Sequence, residues 1–135
     1  MIQKMIYTSI FVPHHDAAIA FYVHTLGFEL MADQSMPGFR WVVVAPKGQT
    51  DTQLLLYKPT AGSKLSPDDV DSIFALMKKG AFGAGVFETA DCHGTYEELK
   101  GKGVEFLSPP KEQFYGTEAL LRDPFGNWFS LTQRK

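Results

Sequence analysis

The sequence contains a single cysteine, Cys92, among its 135 residues. One cysteine excludes an intramolecular disulfide and a zinc site built from several thiolates. No apolar run approaches the ~20 residues of a membrane-spanning helix, and polar residues follow the N-terminus too early for a secretory signal. Neither sign of charge dominates, since the formal net charge is -2, so a basic nucleic-acid footprint is missing. We therefore expect a cytoplasmic protein that binds neither nucleic acid nor a membrane.

What the sequence does contain is the composition of a folded domain. Hydrophobic residues make up 44% of the chain and charged residues 21%, which is typical of globular proteins. The length of 135 residues suffices for a hydrophobic core. We expect a single domain covering residues 1–135.

The first part of the chain, about residues 1–60, predicts one β-α-β-β-β module. The segment from Met5 to Val12 alternates as a strand, which Pro13 ends. The sequence DAAIAFYVHTLGFEL then has the apolar spacing of a helix, and Gly27 is a natural C-terminal stop. Further strands are predicted around residues 28–31, in FRWVVVA and in TQLLLYK, and the turn PKGQTD joins the last two.

The last part, about residues 81–135, repeats this order. FGAGVFET predicts a strand, CHGTYEELKGKG a helix, VEFLSPP a short strand, and GTEALLRD with NWFSLTQ a closing hairpin. Landmarks recur at nearly constant offsets, 76 residues from Gly27 to Gly103 and 77 from Val12 to Thr89. Such self-similarity predicts two copies of one supersecondary unit.

A connector helix is predicted between the two modules, at about residues 66–80. Ser66 is a suitable N-cap and Pro67 a suitable first helical residue. The helical apolar spacing that follows ends at Gly80. We interpret this segment as structural.

The strand phases divide the side chains into two sets. One set is apolar and suits the side of each sheet that packs on its helix. The other is polar and aromatic, which is the usual make-up of a small-molecule pocket. We therefore predict an α+β fold in which two paired β-α-β-β-β modules form a concave cavity. The candidate ligand-binding residues are Tyr7, Ser9, Trp41, Gln53, Leu55, Tyr57, Glu88, Trp128 and Ser130.

The segments FVPHHDAAIAFYVHTLGFEL, RWVVVAPKG and YEELKGKGVEFLSPP, with LLRDPFGNWFSLTQ near the end, carry a resemblance that covers nearly the whole chain. They are similar to the vicinal oxygen chelate superfamily. This group includes glyoxalase I, extradiol dioxygenases, fosfomycin-resistance enzymes and bleomycin-binding proteins. The resemblance implies a glyoxalase-like fold and a homodimer, but it says little about activity.

Metal-binding members of this superfamily hold the ion on the concave face, with one residue from the first strand and one from the hairpin strand of each module. Those ligands are usually His, Gln or Glu. The matching positions here are Tyr7, Ala84, Ser130, and Leu55 or, with a register shift of two, Gln53. A divalent metal needs several imidazole or carboxylate ligands at one point. We therefore expect the metal site to be lost, and we expect no other cofactor.

Other residues provide weaker candidates. The four histidines lie at or on predicted helices, where capping or solvation explains them. Glu88 has the phase of the concave face, where a carboxylate could act as a base or hold a cationic ligand. Cys92 lies near a helix N-terminus, which favours a thiolate, but no base partner is evident. Phe114 and Tyr115 precede a strand and could cover the pocket.

We predict a metal-independent pocket for a small organic molecule that is partly aromatic or apolar. The protein would be a sequestering module of the antibiotic-binding sort, or an enzyme whose chemistry requires only positioning. Bleomycin is a poor candidate, because a polycationic drug requires a strongly acidic cleft and acidic residues exceed basic ones by only 2. One rival is a metal-dependent lyase or dioxygenase with unorthodox ligands such as Glu88, Gln53 and a histidine. Another is a protein whose concave face is filled by its own side chains and which acts through its surface.

Overall fold

The computed structural model describes all 135 residues. The chain divides into two compact units, Met1–Ile73 and Phe74–Lys135. Each unit contains a four-stranded mixed sheet. The predicted α+β class with paired β-α-β-β-β modules is confirmed. None of the helices combines the length and the apolar character that crossing a membrane requires.

The first unit follows the predicted element order. Its elements are β1 (Tyr7–Phe11), α1 (His15–Ile19), a π-helical segment (Ala20–Thr25), β2 (Glu29–Met36), β3 (Phe39–Ala45) and β4 (Gln53–Tyr57). The strand order is β1-β4-β3-β2, with β1 parallel to β4 and the other neighbours antiparallel. A parallel pair needs a long connection, and the helix with the β2–β3 hairpin provides it.

One side of this sheet forms the core of the first unit. Ile10, Val44 and Leu56 alternate onto this side and are buried. Arg40 also points to this side from β3, and its guanidinium lies 2.7 Å from the carboxylate of Asp16 in α1. The helix therefore packs on this side, which we call the helix face.

The predicted helix after β1 changes type part-way along its length. The backbone N–H of Leu26 donates to the carbonyl of Phe21 at 2.9 Å, an i to i−5 bond that defines a π turn. Ala18 and Tyr22 of the predicted apolar stripe are fully buried, so the buried side of the helix was predicted correctly. The π turn was not predicted, because apolar spacing indicates which side is buried and not which carbonyl each N–H reaches. Gly27 ends the helix with φ +81°.

The predicted connector helix is present as α2 (Pro67–Lys78). The N–H of Asp69 donates to the hydroxyl of Ser66 at 3.1 Å, and the N–H of Ser66 donates to the Asp69 carboxylate at 2.8 Å. This reciprocal pair is a capping box with Ser66 as the predicted N-cap. Gly80 follows the helix with φ +77°, which suits a residue without a side chain.

The second unit repeats the arrangement. Its elements are β5 (Gly83–Glu88), α3 (Cys92–Gly101), β6 (Glu105–Gln113), β7 (Gly116–Arg122) and β8 (Trp128–Arg134). The strand order is β5-β8-β7-β6, with β5 parallel to β8. The strand predicted in VEFLSPP is longer than expected, because its pairing with β7 continues past two irregularities as far as Gln113.

The helix face of the second sheet is also apolar. Ala119, Leu121, Phe129 and Leu131 alternate onto it and are buried. Gln133 has the same phase, and its side-chain oxygen accepts the first N–H of α3 at 2.9 Å. This bond places the start of α3 on the helix face and satisfies one of the N–H groups that a helix leaves unpaired.

The turn DPFGN between β7 and β8 is built around a buried carboxylate. One oxygen of Asp123 accepts the N–H groups of Phe125 and Asn127, each at 2.9 Å. Its other oxygen accepts the side-chain amide of Asn127 at 2.8 Å. Both Asp123 and Asn127 are 1% exposed. The turn thus fixes the position at which β8 begins.

Two backbone bonds relate the units residue by residue. The N–H of Val12 donates to the carbonyl of Tyr57 at 2.9 Å, and the N–H of Thr89 donates to the carbonyl of Thr132 at 3.0 Å. The first strands therefore correspond at an offset of 77 residues, as predicted, and the last strands at 75. With this offset Leu55 is the counterpart of Ser130, which resolves the register that the sequence left open.

Candidate functional site

The side of the first sheet opposite its helix face carries most of the predicted ligand-binding residues. In the parallel pair, Tyr7 lies beside Gln53 and Ser9 beside Leu55, and Trp41 has the phase of the same side in β3. We call this side the aromatic face. It comprises Tyr7, Ser9, Phe11, Phe39, Trp41, Gln53, Leu55 and Tyr57.

Aromatic rings form a continuous row across this face. The ring centroid of Tyr7 lies 5.4 Å from that of Trp41 in an edge-to-face arrangement. Phe39 lies 6.1 Å from Trp41 and 6.3 Å from Tyr57, and Phe11 lies 6.0 Å from Tyr57. Ring pairs at these separations stabilise one another and present flat apolar surface. The row can therefore stack against a planar apolar molecule.

The aromatic face is accessible at its edges. Tyr7 is 39% exposed and Phe39 37% exposed, and Ser9 on the outer strand is exposed. Trp41, Gln53 and Tyr57 are partly exposed. A cleft of about 390 Å³ adjoins Phe39 and is also lined by His15, Met36, Arg40 and Lys58 among others.

The corresponding side of the second sheet is polar. Val86 lies beside Ser130 and Glu88 beside Thr132 in the parallel pair. Leu120 and Glu118 of β7 lie opposite Ser130 and Thr132. We call this side the polar face. It comprises Val86, Glu88, Glu118, Leu120, Trp128, Ser130, Thr132 and Arg134.

Ser130 lies at the centre of the polar face, as predicted from its phase. Its hydroxyl donates to the carboxylate of Glu118 at 2.5 Å and lies 2.7 Å from the hydroxyl of Thr132. The phenol of Tyr115 donates to the other carboxylate oxygen of Glu118, and this bond raises the pKa of Tyr115. A carboxylate held by two hydroxyl groups is already oriented before any ligand arrives.

Glu88 is paired with a cation. Its carboxylate accepts from the guanidinium of Arg134 on β8. The bond to Arg134 holds the pKa of Glu88 below its usual value. A base at neutral pH needs a raised pKa, so Glu88 fits a structural or charge-pairing role better than that of a general base.

Trp128 packs on the loop that follows α2. Its indole N–H donates to the carbonyl of Gly80 at 3.1 Å, and its ring lies so close to Gly83 that an added Cβ would be 2.6 Å from it. Trp128 therefore anchors the start of β8 and offers a ligand only the remaining part of its partly exposed ring.

The four positions that hold the metal in related proteins do not fit a metal here. Tyr7 and Ala84 correspond at the offset of 77 residues, and Leu55 and Ser130 at 75. Leu55 and Ala84 have no ligand atom in their side chains, and the hydroxyl of Ser130 is bonded to a carboxylate and a second hydroxyl. No group of three or more His, Cys, Asp or Glu side chains has an arrangement that could hold an ion.

The histidines and the cysteine are accounted for by local contacts or exposure. The imidazole Nε2 of His15 bonds to the carbonyl of Leu56 at 3.1 Å, and burial lowers the pKa of His15. His24 and His93 are exposed. Cys92 is fully buried, and burial raises the pKa of its thiol. The thiolate that its place at a helix start favoured is therefore suppressed.

Sequence reasoning missed two groups of residues. Phe11 and Phe39 complete the aromatic row, and their strand phases would have identified them. Glu118 and Arg134 were missed because the search for polar residues covered the first strand and the hairpin end of each module, and not β7. The pairing of β7 with β8 is the signal that brings Glu118 to Ser130.

Comparison with known proteins agrees with this fold and with the equivalence of the two units. Residues 4–131 match the profile of the Glyoxalase/Bleomycin resistance protein/Dioxygenase superfamily. The chain belongs to this superfamily. It is 36% identical over 134 residues to the uncharacterized protein YetH of Bacillus subtilis (strain 168), which covers 98% of this chain and all of YetH.

Two crystal structures of superfamily-like proteins extend the likeness to three dimensions. UcmS2 matches with a TM-score of 0.91 and 35% identity over 98% of both chains. TnmS3 from Streptomyces sp. CB03234, described as an antibiotic binding protein, matches with a TM-score of 0.78 and 31% identity over 99% of this chain and 98% of its own.

Proposed function

We propose that the protein is a metal-independent binding protein for a small organic molecule with a planar aromatic or apolar part. The aromatic face is the observation that carries this proposal, because five rings in contact form a stacking surface in a sheet whose other side already holds the core. The likeness to TnmS3 supports a sequestering role of the antibiotic-binding sort. The predicted location of the ligand between the two modules stays a prediction.

Binding to the aromatic face is tested with a neutral aromatic probe, 2-naphthalenemethanol, titrated into isotopically labelled protein and followed by amide and indole NMR shifts. We expect the shifts to include residues 7–11 and 53–57 and the indole of Trp41. Tyr7→Ala should weaken binding about fivefold or more, since an aromatic contact contributes roughly 1 kcal/mol beyond its buried area.

Tyr96→Ala is the matched control for Tyr7→Ala. Tyr96 makes an edge-to-face pair with Phe106, with centroids 4.7 Å apart, but on the helix face of the second unit. Loss of this pair should leave probe affinity unchanged. If the probe does not bind, or if both variants weaken it equally, the aromatic face is not the binding surface.

Metal independence is tested on the purified protein by elemental analysis and by probe binding in the presence of a chelator. We expect sub-stoichiometric Zn, Ni, Mn and Fe and an unchanged affinity. A stoichiometric metal whose removal abolishes binding would instead support the metal-dependent lyase or dioxygenase.

We also propose that the protein is a homodimer. Exposed apolar side chains are present in both units, among them Ile6 at 51%, Val86 at 71% and Leu107 at 50%. Contiguous exposed apolar surface marks interfaces. Light scattering during size-exclusion chromatography should give twice the chain mass, and a monomer mass at micromolar concentration would contradict this proposal.

A further inference from the structure

The polar face contains a chain of hydroxyl groups that ends on one carboxylate. Thr132, Ser130 and Glu118 follow one another at 2.7 and 2.5 Å, and Tyr115 reaches the second oxygen of Glu118. Ser130 is 5% exposed and Thr132 6% exposed, whereas Glu118 is partly exposed. These groups lie on the side of the sheet that α3 does not cover.

The direction of these bonds follows from the chemistry of the carboxylate. An ionised carboxylate only accepts, so the protons of Ser130 and Tyr115 both point to Glu118. Ser130 has then used its proton, and the bond between the two hydroxyls must be donated by Thr132. The remaining capacity of the cluster consists of lone pairs on Glu118 and Thr132. A partner that binds here must therefore bring its own protons.

Space for such a partner adjoins the cluster. A cleft of about 220 Å³ is lined by Val86, Glu88, Thr132 and Arg134. The positive charge of Arg134 is already paired with Glu88, so the negative charge of Glu118 is not opposed from that strand. Lys111 of β6, which is exposed, lies opposite Glu118 in the antiparallel pair and competes weakly for it.

We propose that Glu118, with Ser130 and Thr132, binds a hydrogen-bond donor on the small molecule, a protonated amine in preference to a hydroxyl. This inference rests on the proposed small-molecule binding and adds a charge preference to it. The recognised chemistry is an apolar or aromatic molecule that carries an amine, and a carboxylate in the same place is rejected.

Three naphthalene probes that differ only in their polar group test this preference. They are 2-naphthylmethylamine, which is cationic at pH 7, the neutral 2-naphthalenemethanol, and the anionic 2-naphthoate. We expect the amine to bind the wild-type protein at least tenfold more tightly than the carboxylate, because hydrogen bonds to charged groups are the stronger ones. Amide shifts in β7 and β8 should accompany the amine.

Glu118→Gln should reduce amine affinity about tenfold and remove the preference over the carboxylate, while affinity for the neutral probe changes less. Glu112→Gln is the matched control, because Glu112 also accepts a hydroxyl bond, from Thr117 at 3.0 Å, but on the helix face of the same sheet. Lys111→Gln changes only an exposed residue and should strengthen amine binding about twofold by removing a competing charge.

The outcomes separate this inference from the proposed function. If the neutral probe binds but the amine and the carboxylate bind equally well, the acceptor site is refuted and the aromatic face stands. The same holds if Glu118→Gln and Glu112→Gln have equal effects. If Glu118→Gln does not fold, the probe series and Lys111→Gln still decide. If none of the probes binds, both the function and the inference are wrong.

Discussion

Replacement of Asp123 tests how the turn before β8 is held together. The carboxylate accepts three hydrogen bonds, two from backbone N–H groups and one from the amide of Asn127, at 2.8 to 2.9 Å. In Asp123→Ala these donors lose their partner inside a site that is 1% exposed. At a net contribution of about 1 kcal/mol per bond, the free energy of unfolding should fall by about 3 kcal/mol.

Asp123→Asn distinguishes hydrogen bonding from packing. The new amide oxygen can still accept the two backbone N–H groups, but its NH₂ faces the NH₂ of Asn127, where the structure has an acceptor. One bond is lost, so we expect a cost of about 1 to 2 kcal/mol. Asp51→Ala, an exposed turn residue of the other unit, should stay within about 0.5 kcal/mol of the wild type.

Urea unfolding followed by far-UV circular dichroism measures these changes. With a slope of about 2 kcal/mol per molar urea, Asp123→Ala should lower the transition midpoint by about 1.5 M. The reasoning is refuted if Asp123→Ala unfolds within 0.3 M urea (about 0.5 kcal/mol) of the wild type. It is also refuted if the alanine and asparagine variants are equally unstable, since the number of lost bonds would then not matter.

Three further predictions concern burial and backbone conformation. Cys92 should not react with a thiol reagent at pH 8 in the native protein and should react fully in concentrated guanidinium chloride, because burial covers the thiol and raises its pKa; fast native labelling would contradict this. Burial lowers the pKa of His15 from 6.5, so the unfolded chain takes up a proton first and stability falls as the pH drops below about 6.5; His15→Gln should make the stability less dependent on pH between about 7 and 5, and an unchanged slope would count against it. Gly126→Ala should cost more than about 3 kcal/mol, because its Cβ would lie 1.7 Å from a backbone oxygen at φ +108°; Gly48→Ala, at φ +80° with nothing within 4 Å, should cost about 1 kcal/mol, and equal costs would disprove the clash.

Much of the fold could be predicted because its determinants are local. Each strand alternates between buried and accessible residues, and positive-φ glycines such as Gly27 and Gly80 follow the helices. The ends of elements were less certain. The first strand was predicted from Met5, whereas pairing with β4 begins at Tyr7. The pattern of a single strand does not record where its partner begins.

The candidate site was predicted unevenly for the same reason. Tyr7, Trp41 and Tyr57 could be assigned to one face from phase alone. The partners of Ser130 and Glu88 could not be assigned, since they depend on which strands are neighbours and in what register. Side-chain anchoring is a separate limit: the indole of Trp128 reaches Gly80, 48 residues away in sequence, and no periodic pattern encodes that bond.

Trp41 and Glu118 occupy the same place in the two halves of the chain, since each lies opposite the strand position that Tyr57 and Thr132 share. Duplication has therefore kept a common interior and supplied two walls that can diverge in chemistry separately. A library of substitutions confined to these outward positions would change which compounds are held while the hydrophobic layer beneath stays intact. Specificity and foldability are written on opposite sides of the same strands.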